Sequence, residues 1–222
     1  MIPCGRQRIA RLSERSSENS EMRLFRLFLF RAGILAMTLG ALPTSALGEP
    51  VHFRLLRQES NILTHISDPF GRTVVGELAL REGEARGDIK DVRSSGSVRL
   101  TMDASSYNSN LGLRDEDVRD NYLEVKEYPL ITFTSTGIEQ IKDFKPRETW
   151  QLTIKGILEL HGIKRAISVP VKLTYREGKI TAEGNTKILL KDFNIAVPTL
   201  LFRFRSGDQV EVRFRIVGER QS

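Results

Sequence analysis

Residues Trp150–Leu160, WQLTIKGILEL, alternate between two faces. Trp150, Leu152, Ile154, Gly156, Leu158 and Leu160 share one face, and Gln151, Thr153, Lys155, Ile157 and Glu159 share the other. A period of two is the mark of a strand with one dry face and one wet face. The pattern recurs after only two residues: Ile163, Ile167, Val169, Val171, Leu173 and Tyr175 share a face of the next run. It returns at Val98, Leu100 and Met102, and near the end at Val210, Val212, Phe214 and Ile216. Weaker runs lie at Val51–Arg57, Asn61–Ile66, Arg72–Leu80, Leu130–Ser135 and Lys179–Ile188. Many strands separated by polar turns predict an all-β, antiparallel domain, and a sandwich and a barrel both satisfy the pattern.

Three local features refine this expectation. His161-Gly162 separates the two best runs, and glycine supplies a positive φ without steric cost, so the pair predicts a hairpin tip with His161 on the wet face. Pro170 lies inside a strand pattern but cannot donate to a ladder, which places it at an edge, a bulge or, in a closed barrel, a weak seam. Leu111–Val125 lacks period-two alternation and contains no proline. It predicts a short helical insertion with an apolar stripe of Leu113, Val118, Tyr122 and Val125.

The start of the chain has a different character. From Met22 it runs MRLFRLFLFRAGILAMTLGALPTSALGEP. Arg23, Arg26 and Arg31 precede an uncharged apolar run, and Ala46 and Gly48 fit a cut between Gly48 and Glu49. This is the three-part pattern of a secretory signal peptide, with translation expected to begin at Met22. The apolar run falls far short of the roughly 20 residues needed to span a bilayer. The expected organisation is therefore a signal region over 1–48 and one domain over 49–222, periplasmic or secreted.

Charge and cysteine exclude several functions. The chain carries 34 Lys+Arg and 28 Asp+Glu, a net of +6. Residues 1–48 hold seven Arg and three Glu, so the remainder keeps 27 basic and 25 acidic residues, a net of +2. That balance gives no reason to expect nucleic acid as a partner. The single cysteine, Cys4, lies in the leader, which removes disulfides, thiol nucleophiles and Cys-ligated metals from residues 49–222. His52, His65 and His161 form no zinc spacing, and no Gly-x-Ser-x-Gly elbow occurs. No metal, cofactor or enzymatic activity is expected; a hydrolase built on His161 is the weaker alternative.

Three blocks, in order, carry a resemblance. GILELHGIKRAISVPVKL (Gly156–Leu173), LRDEDVRDNYLEVKEYPLITFTSTGI (Leu113–Ile138) and LLKDFNI (Leu189–Ile195) together resemble the YceI-like family of secreted, lipocalin-like proteins. The sequence departs from the family pattern at Asp117, where the family usually has His, and at Tyr122-Leu123, where it has two aromatics. It departs again at Lys191 for Arg and Asn194 for Gly; Asn tolerates a left-handed backbone best after glycine. Gly76-Glu77-Leu78 stands where the family tends to have Gly-x-Phe.

The resemblance implies an extended antiparallel β-barrel of about eight strands with one short helix, closing over a long apolar pocket. The implied partner is a long-chain isoprenoid or fatty lipid, carried without chemistry; transient contact with a membrane and a homodimer are compatible with it. Leu78, Leu100, Met102 and Tyr122 are expected to line the barrel. So are Phe133, Trp150, Leu152, Ile154 and Leu158, and, further on, Val169, Val171, Phe193, Val212 and Phe214. Arg114 and Arg119 are the headgroup candidates. Gly156 and Gly184 are expected to leave gaps for the ligand. The alternative is a ligand-free structural or partner-binding barrel whose dry face is packed core.

Overall fold

The computed structural model describes residues 51–67, 72–88, 95–142, 149–196 and 208–221, with side chains of 140–142 excepted. The expected signal region over 1–48 and its cut before Glu49 lie outside the described residues. The strands are β1 (Val51–Leu55), β2 (Asn61–Ser67), β3 (Thr73–Gly87), β4 (Ser97–Asn108) and β5 (Leu130–Lys142). They continue with β6 (Thr149–Leu160), β7 (Ile163–Arg176), β8 (Lys179–Leu189) and β9 (Gln209–Arg220).

Every pairing is antiparallel, and the sheet closes into a barrel of eight staves. β1 and β2 act as one stave broken by a 3-10 turn at Arg57–Glu59, because both lie between β3 and β9. The ring closes where β3 pairs with β4. At about 3.3 Å per residue, the 15 residues of β3 reach about 50 Å, so the barrel is long for its girth.

The alternation becomes an inside and an outside. Trp150, Leu152, Leu158 and Leu160 of β6 are buried, as are Val169 and Val171 of β7. β3, β4, β5 and β9 run past the ends expected from periodicity, and in β3 and β5 the overrun coincides with a bulge. In β3 the inward set Gly76, Leu78, Leu80 shifts phase at Leu80/Glu82 and resumes as Gly83, Ala85, Gly87. In β5 the inward set Ile131, Phe133, Ser135 shifts between Ser135 and Gly137, after which Ile138 faces in. An extra residue at a bulge reverses which parity faces the core.

Leu160 pairs with Ile163, so the β6–β7 connection is a two-residue loop. His161 has φ +53° and Gly162 φ +70°, the two left-handed residues that a type I′ hairpin demands. Gly156 and Gly184 do not leave gaps, contrary to expectation. A Cβ at Gly156 would lie 2.4 Å from Phe133 Cζ, and one at Gly184 would lie 2.7 Å from Phe214 Cζ. Each glycine instead makes room for a ring from the adjacent strand, which draws that ring toward the wall.

Gly156→Ala is expected to destabilise the fold by about 1–3 kcal/mol, because Phe133 and the Thr134 carbonyl, 2.7 Å from the new methyl, must shift. Urea unfolding of the two proteins checks it; an unchanged midpoint would show that Phe133 has free room.

Candidate functional site

The barrel encloses an apolar cavity of about 310 Å³. β3 and β4 supply Leu78, Leu100 and Met102, and β5 supplies Ile131 and Phe133. β6 contributes Trp150, Leu152, Ile154 and Leu158; β7 adds Val169 and Val171, and β9 adds Val212 and Phe214. Leu55, Ile62, Tyr107, Leu160, Ile188 and Ile216 also line it and were not singled out from the sequence. They belong to the same periodic faces, so the alternation could have found most of them. Trp150 brings a buried indole Nε1 that has no hydrogen-bond partner among the described residues.

Phe193 is the apolar candidate that does not face this cavity. Its side chain is 2% exposed and packs in the core from a 3-10 turn, Leu190–Phe193, at the end of β8. Asn194, which follows, has φ +56°. The left-handed residue that a glycine would supply is thus provided by asparagine.

The insertion is shorter than expected. Helix α1 covers Gly112–Asp117 and continues as one π-type turn, Val118–Tyr122. The wider turn rotates the apolar stripe, so Val118, Tyr122 and Leu123 face the cavity while Leu113 is 83% exposed. Leu113 therefore does not belong to the buried stripe.

The charged residues of α1 hold the loop that enters it. Asp115 is 4% exposed. Its carboxylate accepts from the Ser109 amide at 2.9 Å, from the Ser109 hydroxyl and from the Leu111 amide at 3.3 Å. Burial works against the charge, yet the Ser109 and Leu111 donors and the Arg114 guanidinium outweigh it and hold the carboxyl below its ordinary range. Arg114 donates from Nε to Ser109 Oγ at 2.8 Å and from Nη2 to the Ser109 carbonyl at 2.9 Å. Arg119 donates to the Tyr107 carbonyl at 2.8 Å. Both headgroup candidates thus grip the protein's own backbone, and neither lines the cavity.

His161 is not on a wet face. Its side chain is nearly covered, with its ring 4.5 Å from that of Tyr128. Nε2 lies 2.8 Å from Glu124 Oε2, and Nδ1 lies 3.2 Å from the Phe193 carbonyl oxygen. Both facing atoms are acceptors, so both contacts are hydrogen bonds when the ring carries two protons. The hairpin departs from its own alternation here because the turn swings the imidazole over the barrel end. There it ties three distant segments together: the end of the helical insertion, the hairpin tip and the turn after β8.

Asp115→Asn is expected to cost about 1–3 kcal/mol at neutral pH. The folded carboxyl is the stronger acid, so its contribution is present above the unfolded value, about 3.9, and disappears as pH falls through the folded value. Denaturation measured from neutral pH to about pH 2 should show the gap between wild type and variant closing. A gap constant with pH would remove the carboxylate from the explanation.

The YceI-like domain family matches residues 53–218. Curated relatives called protein YceI, from Salmonella arizonae and Salmonella newport, are 32% identical over 111 residues, which is 46% of this chain and 53% of theirs. The chain thus spans about half the length of the curated relatives it matches. Among solved structures, Burkholderia cenocepacia BcnA superposes with a TM-score of 0.63 at 19% identity, over 73% of this chain and 98% of that one. A polyisoprenoid binding domain from Saccharophagus degradans, implicated in plant cell wall breakdown, gives 0.61 at 16% identity, over 76% and 98%. At these identities the structural likeness speaks for the fold.

Proposed function

Because this chain belongs to the YceI-like domain family, we propose that it is a secreted, periplasmic carrier that holds a long isoprenoid or similar amphiphile in its barrel, without chemistry, and exchanges it at a membrane. The observation that carries this reading is the cavity. It is continuous, walled by Leu, Ile, Val, Phe and Trp side chains along the barrel, and about 310 Å³ in volume. At about 24 cal/mol per Å³, leaving such a volume unfilled forfeits roughly 7 kcal/mol. That is comparable with the whole net stability of an ordinary domain, about 5–15 kcal/mol. A hydrocarbon chain recovers this energy. A packed scaffold, the competing reading, would have filled the volume with side chains.

The shape agrees with the chemistry. A long, narrow, apolar bore accepts a slender chain and offers little for a polar substrate to orient on. The related polyisoprenoid binding domain supports the same ligand class for this chain. The leader pattern before Glu49 supports export.

Trp150 is the chain's only tryptophan and stands in the cavity wall. Its emission therefore reports on whatever fills the bore. Titration with geranylgeraniol should change the intensity or position of that emission and saturate at about one lipid per chain. Mass spectrometry of a solvent extract of detergent-free protein should find a long-chain lipid. An empty extract together with flat fluorescence would return the barrel to the scaffold reading.

A further inference from the structure

Two neighbouring staves of the barrel fail to pair over part of their length. β7 starts at Ile163 and β8 ends at Leu189, yet their ladder covers only Val171–Arg176 against Lys179–Gly184. The stop has a local cause. The next residue of β7 is Pro170, which has no N–H to give. Its carbonyl presses on β8, and a Cβ at Gly184 would lie 2.3 Å from that oxygen. Beyond the stop, the register would have set Ile167 opposite Ile188.

An open, shallow depression lies over this unpaired interval, bounded by Arg165, Lys187, Asp192, Phe193, Ile167 and Ile188 among others. Ile167 and Ile188 also line the inner cavity. Among the described residues, inside and outside are therefore separated here by two aliphatic side chains and not by a hydrogen-bonded ladder.

The recess differs from the bore in charge. Among the described residues Arg165 spends only its Nε, on the Asp192 carbonyl at 2.8 Å, and its terminal nitrogens have no partner there. Lys187 has no hydrogen bond or ion pair among the described residues, although its charge faces Glu211 across the β8–β9 ladder and adds to Arg213 in holding that carboxyl low. Two carboxylates are near. Asp192 lines the recess, and Glu211, opposite Lys187 in the β8–β9 ladder, is held by Arg213 at 2.9 and 3.2 Å. Other cations around the bore are engaged: Arg114 and Arg119 by backbone, and Arg86, at the cavity lining, by Glu84 at 3.0 Å.

We propose that this seam is a side portal for a lipid with a phosphate-class head: the anion rests on Arg165 and Lys187, and the tail passes between Ile167 and Ile188 into the bore. The inference rests on the lipid-carrier reading and adds the head chemistry and the route. An anion cannot follow the tail inward, because burying an unpaired charge in an apolar bore is prohibitive. A guanidinium with two free terminal nitrogens suits phosphate oxygens, and an ammonium beside it adds charge.

The test titrates the full chain with geranylgeranyl phosphate and with geranylgeraniol, following Trp150 emission, and repeats the first titration against inorganic phosphate. Lys187→Gln removes no hydrogen bond or ion pair among the described residues and only the charge that faces Glu211 across the ladder, a carboxylate that Arg213 still holds, so it separates head recognition from stability. It should weaken the phosphate lipid about tenfold and leave the alcohol within about twofold. Arg165→Gln with Lys187→Gln should weaken the phosphate lipid further. Equal loss for both lipids, or no loss for either, overturns the portal while the carrier reading stands. Strong competition by inorganic phosphate alone overturns it in favour of a free-phosphate site. Failure of both lipids to bind wild type removes the carrier reading and the portal with it.

Discussion

Closure of the ladder is the constraint on which the rest depends. β3 pairs with both β2 and β4, and β9 with both β2 and β8, so the strands that would edge an open sheet are consumed by the ring. Closure fixes the girth and turns every alternating run into wall and interior. Two glycines then decide how the interior is used. Phe133 sits over Gly156 and Phe214 over Gly184, so bulky rings lie against the wall in place of crossing the bore. The void follows from where the glycines stand as much as from the strand count.

One end of the barrel is held by backbone conformations that most residues avoid. Glu124, His161 and Asn194 all have φ near +50°, and none is glycine. Each such residue costs on the order of 1 kcal/mol. They belong to the three segments that meet at His161, through the Glu124 carboxylate and the Phe193 carbonyl. The contacts across the junction offset the local strain. They also explain why three sequence blocks far apart along the chain form one recognisable set: they are the parts of one joint.

The sequence disclosed the strands wherever alternation was unbroken, and it stopped at the bulges for a physical reason. Periodicity detects a strand by parity, and parity reverses at Leu80/Glu82 and after Ser135. β3 was therefore legible to Leu80 and β5 to Ser135, and no further. The two-residue hairpin was legible from His161-Gly162, and a proline within a strand run was enough to mark Pro170 as a weak place. Most of the apolar lining was legible for the same reason as the strands. The helix was harder, because one π-type turn moved the stripe off Leu113 and onto Leu123. Arg114 and Arg119 were legible as cations but not as spent ones. Their acceptors are the backbone of Ser109 and Tyr107, which no side-chain pattern announces.

A closed barrel protects its ladder and by the same means shuts its contents in. Opening a paired interval would expose several backbone hydrogen bonds at once, each expensive to leave unmade in an apolar setting. Among the described residues, the interval between Ile163–Pro170 and Asn185–Leu189 has no such ladder bonds to break. Parting Ile167 from Ile188 costs only side-chain contact and some apolar burial, which an entering hydrocarbon restores. Pro170 is the residue that makes this possible, because a residue able to donate at that position could extend the ladder beyond Val171. What looks like a defect in the ring is thus a place where the wall can part without opening a paired ladder.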